Sequence, residues 1–267
     1  MRNLSTRVTI IGFVAFFMTL VIGGQVAAQG ETVPAATATP NFPITLKDGL
    51  TLDNQHSSEA VEQPKLSIEV DKPVLSGDPA VVENFNTAAD KIIEDTAGSF
   101  KSDTLQYQTG DDLPPEIADL GSYMDVGYQF FTPTESLLSI SFGVDWYSAG
   151  AAHPNSYSRT LNYDLDNGTV LALADLFKPE AQFLEALSAY SVKVLTEKGM
   201  LMFPDGAEPT EDNYKNWTLT LDGLLITFDD YQVAPHVAGS QQVVIPYAEL
   251  TDLINPDGVL GPLVTRG

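Results

Sequence analysis

Residues 122–148 read SYMDVGYQFFTPTESLLSISFGVDWYS, and residues 156–165 read SYSRTLNYDL. Together they hold three strand-length runs in which Tyr, Phe, Val, Ile and Leu alternate with small or polar residues. Period-two alternation sends successive side chains to opposite faces, so the stretch predicts an antiparallel meander with one buried face. The last hairpin turn falls at DNGT (166–169), where Asn167-Gly168 suits the positive φ values of a type I′ turn. Asp164, Asp166 and Asp175 also raise the question of a calcium loop. A helix-flanked loop of that kind wants an acid at its fifth position and Gly at its sixth, whereas Gly168 already stands on the fifth, so the hairpin reading is preferred.

Upstream of the meander, LSIEVDKPVL (66–75) alternates like a half-buried strand. Asp78 and Pro79 then open a helix, the first as capping oxygen and the second as an N1 residue whose φ is already helical. Val82, Phe85, Ala89, Ile92, Ile93 and Thr96 recur at three- and four-residue steps and give that helix one buried side. From Thr104 to Pro115 the chain is polar and broken, which predicts a surface loop. Downstream, Phe183, Leu187, Tyr190 and Val194, with Leu184 and Leu195, line a second helix closed by Gly199. After a polar excursion over 200–216, the sequence reads as strand, Asp-Gly turn, strand, irregular loop, strand and short helix. The fold class expected is α+β: an antiparallel or mixed sheet made of two meanders, with two main helices packed on one face.

The amino terminus has Arg2 and Arg7, an uncharged apolar run from Val8, and Val26 and Ala28 at a peptidase spacing. That is the pattern of a secretory signal cut after Ala28, the alternative being an uncleaved anchor over residues 8–28. The expected organisation is a signal at 1–28, an Ala/Thr/Pro-rich spacer at 29–60, a strand-helix-strand module at 61–135 and a sheet domain at 136–267, the last two packed as one unit. The protein is therefore expected outside the cytoplasm, secreted or at the cell envelope, touching membrane only through its amino terminus. It has no cysteine, which excludes disulfides, thiolate chemistry and Cys-based zinc sites. Without Arg2 and Arg7 it carries 11 basic against 36 acidic residues, a net charge of −25. Such a surface repels nucleic acid and favours basic partners or cations, or serves solubility alone.

No G-x-S-x-G elbow, H-E-x-x-H helix, Walker loop or Rossmann glycine triplet occurs. We assign no catalytic residue, no metal ligand and no cofactor from the sequence. Two loops are unusual. AGAAHPNSY (149–157) lets Gly150 and its alanines approach another surface closely while His153, Asn155 and Tyr157 supply donors and an aromatic face. FDDYQVAPHVAG (228–239) places Tyr231, Pro235, His236 and Gly239 in an irregular link between strands. Taken alone, each loop is as well explained by local hydrogen bonding; together, each offers an imidazole, an aromatic ring and a glycine.

At these residues the chain resembles a family. Residues 147–250 are similar to the extracytoplasmic domain of unknown function of the sigma-V-type, lysozyme-responsive anti-sigma factors. The shared pattern is a Gly-Ala-His-Pro-Asn loop, N-Y-D-L-x-x-G-x-x-L-x-L-x-D-L-F (162–177), D-G-L-x-I-x-F-x-x-Y-Q-V-A-P (222–235) and V-x-I-P-Y-x-E-L (243–250). Residues 66–132 more weakly resemble a companion module that also precedes peptidoglycan deacetylase domains. Two departures stand out: Ala151 where the family usually has Gly, and His236-Val237-Ala238-Gly239 where it usually reads Tyr-Ala-x-Gly. Only MRNLSTR precedes the hydrophobic segment, so the expectation is the sensing half without a part that holds a sigma factor.

The resemblance implies a non-enzymatic binding domain whose partner is a basic, lysozyme-like protein or a peptidoglycan fragment. Tyr147, His153, Asn155, Tyr231 and His236 are the candidate recognition residues, the rings supplying contact area and the imidazoles orientation or pH response. The alternative is a hydrolase or catalytic accessory acting on peptidoglycan, with His153 as general base oriented by Asp145, Asp164 or Asp230. A purely structural envelope module would need neither histidine.

Overall fold

The computed structural model describes residues 12–14, 41–107 and 114–264. The segment read as a signal, apart from 12–14, and the spacer up to residue 40 lie outside the described residues. Among the described residues no helix is long and apolar enough to cross a membrane. In chain order come β1 (Gly12–Val14), β2 (Ile44–Thr45), β3 (Thr51–Glu62), β4 (Lys65–Ser76) and α1 (Pro79–Ile93). A π turn at Glu94–Gly98 leads into α2 (Ser99–Tyr107), followed by α3 (Pro115–Ala118), β5 (Ser122–Phe131), β6 (Leu137–Tyr147), β7 (Asn155–Asp164) and β8 (Thr169–Val170). The remaining elements are α4 (Phe183–Glu197), β9 (Trp217–Leu219), β10 (Gly223–Phe228), β11 (Gln241–Pro246), α5 (Tyr247–Leu250) and α6 (Gly261–Val264).

The fold is α+β, with its strands divided between two sheets. The large sheet runs β2-β3-β4-β5-β6-β7-β8, with β1 beside β5, and the small one runs β11-β10-β9. Among the described residues only β4 and β5 pair in parallel, because the helical segment between them carries the chain back to the same end of the sheet. Each main helix covers its own sheet, α1 lying on β4, β7 and β8 and α4 on β11. Two cores result, one built from residues 44–165 and one from Leu137 with residues 171–260. The expected boundary at 135/136 therefore does not hold. It would cut the β5–β6 hairpin, whose nine ladder pairs bind its strands into one sheet, and the change of core instead follows β8.

Local chemistry explains the helix ends. The Asp78 carboxylate accepts from Ala80 N at 3.0 Å, and Pro79 occupies the first helical position. Phe85 and Ala89 are fully buried, and Phe85 meets Tyr163 edge-on at 5.3 Å. α4 ends in a left-handed Gly199 (φ 68°), with Met200 N bonded to Leu195 O at 2.8 Å and Gly199 N to Thr196 O at 3.0 Å. That pair of bonds satisfies carbonyls that the helix end would leave open.

Three further expectations are corrected. The spacer does not extend to residue 60: Thr51–Glu62 pairs along its whole length with β4, its mostly exposed polar side chains leaving the main chain to supply the bonds. The loop expected from Thr104 begins later, since the π turn re-phases the helix so that Phe100 and Thr104 face the core. The turn at 166–169 is not type I′, because only Gly168 takes positive φ (64°). Asp164 holds the turn instead, Oδ1 accepting from Asp166 N at 2.8 Å and Asn167 N at 3.2 Å, and Oδ2 from Asn167 Nδ2 at 2.7 Å.

A buried polar junction joins the two cores. Ser139 and Asn162 project from neighbouring positions of β6 and β7, on the face opposite α1, and hydrogen-bond each other. Leu219 N donates to Ser139 Oγ at 2.9 Å and Asn162 Nδ2 donates to Trp217 O at 2.8 Å, so β9 is fixed across the large sheet. Polar groups this deeply buried are tolerated because every one of those bonds is made.

Candidate ligand-binding site

The two unusual loops meet at the exposed edge of β7. β8 covers that edge only at Tyr163 and Asp164, leaving the main chain nearer Asn155 in need of partners. Asp229, just after β10, supplies one: Ser158 N donates to its Oδ1 at 2.7 Å while Asn216 Nδ2 donates to Oδ2 at 3.0 Å. Burial pushes the Asp229 carboxyl above the usual carboxylate range, and the Ser158 amide and the Arg159 charge partly offset the effect. Residues 229–232 form a turn closed by Gln232 N to Asp229 O at 3.0 Å, with Tyr231 in the left-handed region at φ 65°. A non-glycine residue there costs on the order of 1–2 kcal/mol, and the strain holds a tyrosine 52% exposed at the surface.

The rings then form a pile. His153 and His236 stack at 4.2 Å between centroids with planes 17° apart, and Tyr231 stacks on His236 at 5.5 Å. Hydrogen bonds fix the ring orientations. His153 Nδ1 lies 2.8 Å from Pro154 O, a group that only accepts, so that nitrogen donates. In the neutral ring Nε2 is then an acceptor, for which the Tyr231 hydroxyl, 3.3 Å away, is the donor. His236 Nδ1 likewise donates to Asp230 Oδ2 at 2.9 Å, and Ser156 Oγ donates to the same oxygen at 3.2 Å. Asp230 is only 7% exposed in its side chain, yet Oδ1 has no hydrogen-bond partner among the described residues.

The structure thus brings His153, Tyr231 and His236 together. Asn155 opens β7 opposite Trp146, and Tyr147 lies outside the pile, stacking on Tyr123 of β5 at 6.0 Å. The third histidine, His56, is elsewhere, between Asp71 (3.1 Å) and Glu69 (3.2 Å) on the β3–β4 ladder. None of the three acids considered as a partner for His153 bonds it: Asp164 is spent in its turn, Asp230 holds His236, and Asp145 faces Asp125 across the β5–β6 ladder. The Ser156 hydroxyl donates to a carboxylate and not to an imidazole, so Ser156 is not set up as a nucleophile against a base. Among the described residues no three His, Asp or Glu side chains converge as a metal site.

Sequence reasoning missed Ser156, Asp125 and Tyr123, and had Asp230 only as a partner for the wrong histidine. The one available signal was alternation, which puts Asp125 and Asp145 on the polar side of their strands; their pairing depends on register.

Residues 174–248 match the family model described as Protein of unknown function (DUF3298). That DUF3298 segment holds α4, the small sheet, Tyr231 and His236. The chain is similar to the anti-sigma-V factor RsiV of Bacillus subtilis, 27% identical over 72% of this chain and 67% of the relative. It is also similar to the peptidoglycan-N-acetylmuramic acid deacetylase PdaC of the same organism, 24% identical over 64% of this chain, where it spans only 36% of the relative's length. Two solved structures share the fold. A DUF3298 family protein from Pseudomonas aeruginosa superposes with a TM-score of 0.57 at 16% identity, covering 78% of this chain and 96% of that one. A member of the same family from Bacteroides fragilis gives 0.54 at 18%, covering 81% and 98%.

Proposed function

We propose that the protein is an exported, non-enzymatic ligand-binding module of the cell envelope that recognises a basic protein of the lysozyme type or a fragment of the cell wall. The observation that carries this reading is the ring pile of His153, His236 and Tyr231. Two loops far apart in sequence are pinned to one strand edge, and a strained tyrosine is held outward where a structural side chain would be buried. Rigid rings at a surface are what a recognition patch uses, because they give contact area at little entropic cost. Similarity to an anti-sigma factor and to a peptidoglycan deacetylase, together with a net charge of −23 for the whole chain, supports a basic or wall-derived ligand. Tyr147 and Asn155 flank the pile in this reading.

Calorimetric titration of the purified protein with lysozyme and with muropeptides, at low and high salt, tests it. Binding that weakens as salt rises, and that His236→Ala reduces about tenfold, is expected; no heat with either ligand at any salt would sink the reading.

The Asp230–His236 pair keeps a second reading in play, a hydrolase or accessory acting on peptidoglycan, with His236 rather than His153 as the oriented base. Release of soluble fragments from purified cell wall, abolished by His236→Ala, would favour it.

A further inference from the structure

The face of the large sheet opposite α1 carries a transverse line of acids. Glu69 on β4 pairs in register with Asp125 on β5, which pairs with Asp145 on β6, which pairs with Ser156 on β7. Ser156 in turn holds Asp230, so four carboxylates cross the sheet in sequence. Like charges directly opposite one another on neighbouring strands destabilise a sheet. Glu69 has His56 and Ser58 as partners, whereas Asp125 and Asp145 have no hydrogen bond or ion pair among the described residues. Partial loss of hydration beside the sheet and then neighbouring charge raise both carboxyls above their ordinary range, Asp125 under the influence of Glu69, and Asp145 of Asp125 and Asp230.

Two further features point to an occupant. The Asp230 side chain, over nine-tenths buried beside Asp145, accepts at Oδ2 from Ser156 and His236 but keeps Oδ1 without a donor among the described residues, and a buried acceptor left open is costly unless something completes it. Next to the acids on the same strands and face, Tyr123 and Tyr147 stack in parallel, offering ring surface to a planar cation. The second sheet docks farther along, over Ser139 and Asn162, and leaves Asp125 and Asp145 exposed. We infer that Glu69, Asp125, Asp145 and Asp230 form a cation-binding strip that takes the arginine and lysine side chains of a basic polypeptide, with Tyr123 and Tyr147 as its aromatic wall. The inference rests on the binding reading above and places the charged half of the contact beside the ring pile. Stability is given up in the free protein and recovered when the partner's cations arrive.

The test compares wild type with Asp125→Asn/Asp145→Asn, using lysozyme, an octa-arginine peptide and calcium as probes, alongside urea unfolding. The double variant is expected to unfold at a higher urea concentration than wild type, to bind lysozyme and the peptide about tenfold more weakly, and to show a shallower dependence of affinity on salt. If the variant is more stable but binds both polypeptide probes like wild type, while His236→Ala binds lysozyme less well, the strip is overturned and the binding reading stands. If wild type binds the peptide but not lysozyme, and the variant loses the peptide, the strip stands and lysozyme is the wrong partner. Binding of neither, or stabilisation by millimolar calcium that the variant abolishes without any peptide binding, overturns the strip.

Discussion

Asp164, which closes β7, and Asp230, bonded to Ser156 near the start of β7, are two nearly buried aspartates that are treated in opposite ways. Asp164 spends both oxygens inside its own turn, on Asp166 N, Asn167 N and Asn167 Nδ2, and the turn is complete without anything from outside. Asp230 spends one oxygen on side chains from two different segments, Ser156 and His236, and among the described residues the other has no donor. A carboxylate that closes a turn is a fold determinant. One that reaches across segments, holds an imidazole and stays incomplete is better suited to a partner than to the resting structure.

The contrast is sharpest in stability. Asp164→Ala should lower the unfolding free energy by about 2–3 kcal/mol in urea titrations, since three donors lose their acceptor, while lysozyme affinity stays at the wild-type value. Gly168→Ala should cost about 1–2 kcal/mol in the same assay: the residue must hold φ 64°, and its Cβ would sit 2.7 Å from Ala80 O. Asp230→Asn keeps the size of the side chain and should change stability by less than about 1 kcal/mol, while lysozyme affinity falls severalfold. If it unfolds the protein as badly as Asp164→Ala does, the distinction between the two aspartates collapses.

The smallest effect concerns pH. Raised carboxyls at Asp125 and Asp145 mean that the folded state holds these protons more tightly than the unfolded chain. The stability they contribute is therefore present in acid and is lost as pH rises from the ordinary carboxylate value of 3.8 through the raised ones. Asp125→Asn/Asp145→Asn should gain about 0.2–1 kcal/mol at pH 7, a gain that shrinks toward zero below pH ~4. A gain independent of pH would show that the two carboxylates do not repel.

Much of this architecture is legible in the chain because its causes are local. The cap at Asp78-Pro79, the Gly199 stop after α4 and the period-two alternation of residues 122–165 each depend on neighbours within a few positions. Misreadings arose where the deciding partner was distant. TLDNQHSSEA reads as spacer because its side chains are polar, yet its bonds come from the main chain of β4. Asn167-Gly168 reads as a type I′ turn until the Asp164 carboxylate is seen to accept from the turn's own amides. The same holds at the site: the chain shows His153 and His236 in loops with aromatic neighbours, but their stacking depends on residues 83 positions apart meeting at one strand edge.

The sequence by itself determined the α+β class, both main helices with the Asp78 cap of the first and the Gly199 stop of the second, the meander and the two histidine loops, since periodicity, capping and turn chemistry are short-range. Only the tertiary structure decided that the strands divide into two sheets, that Asp230 serves His236 rather than His153, and that Glu69, Asp125 and Asp145 stand in line. Strand register and the docking of one core on another are set by hydrogen bonds and packing between residues tens of positions apart, and no local pattern in the chain encodes which of them will face each other.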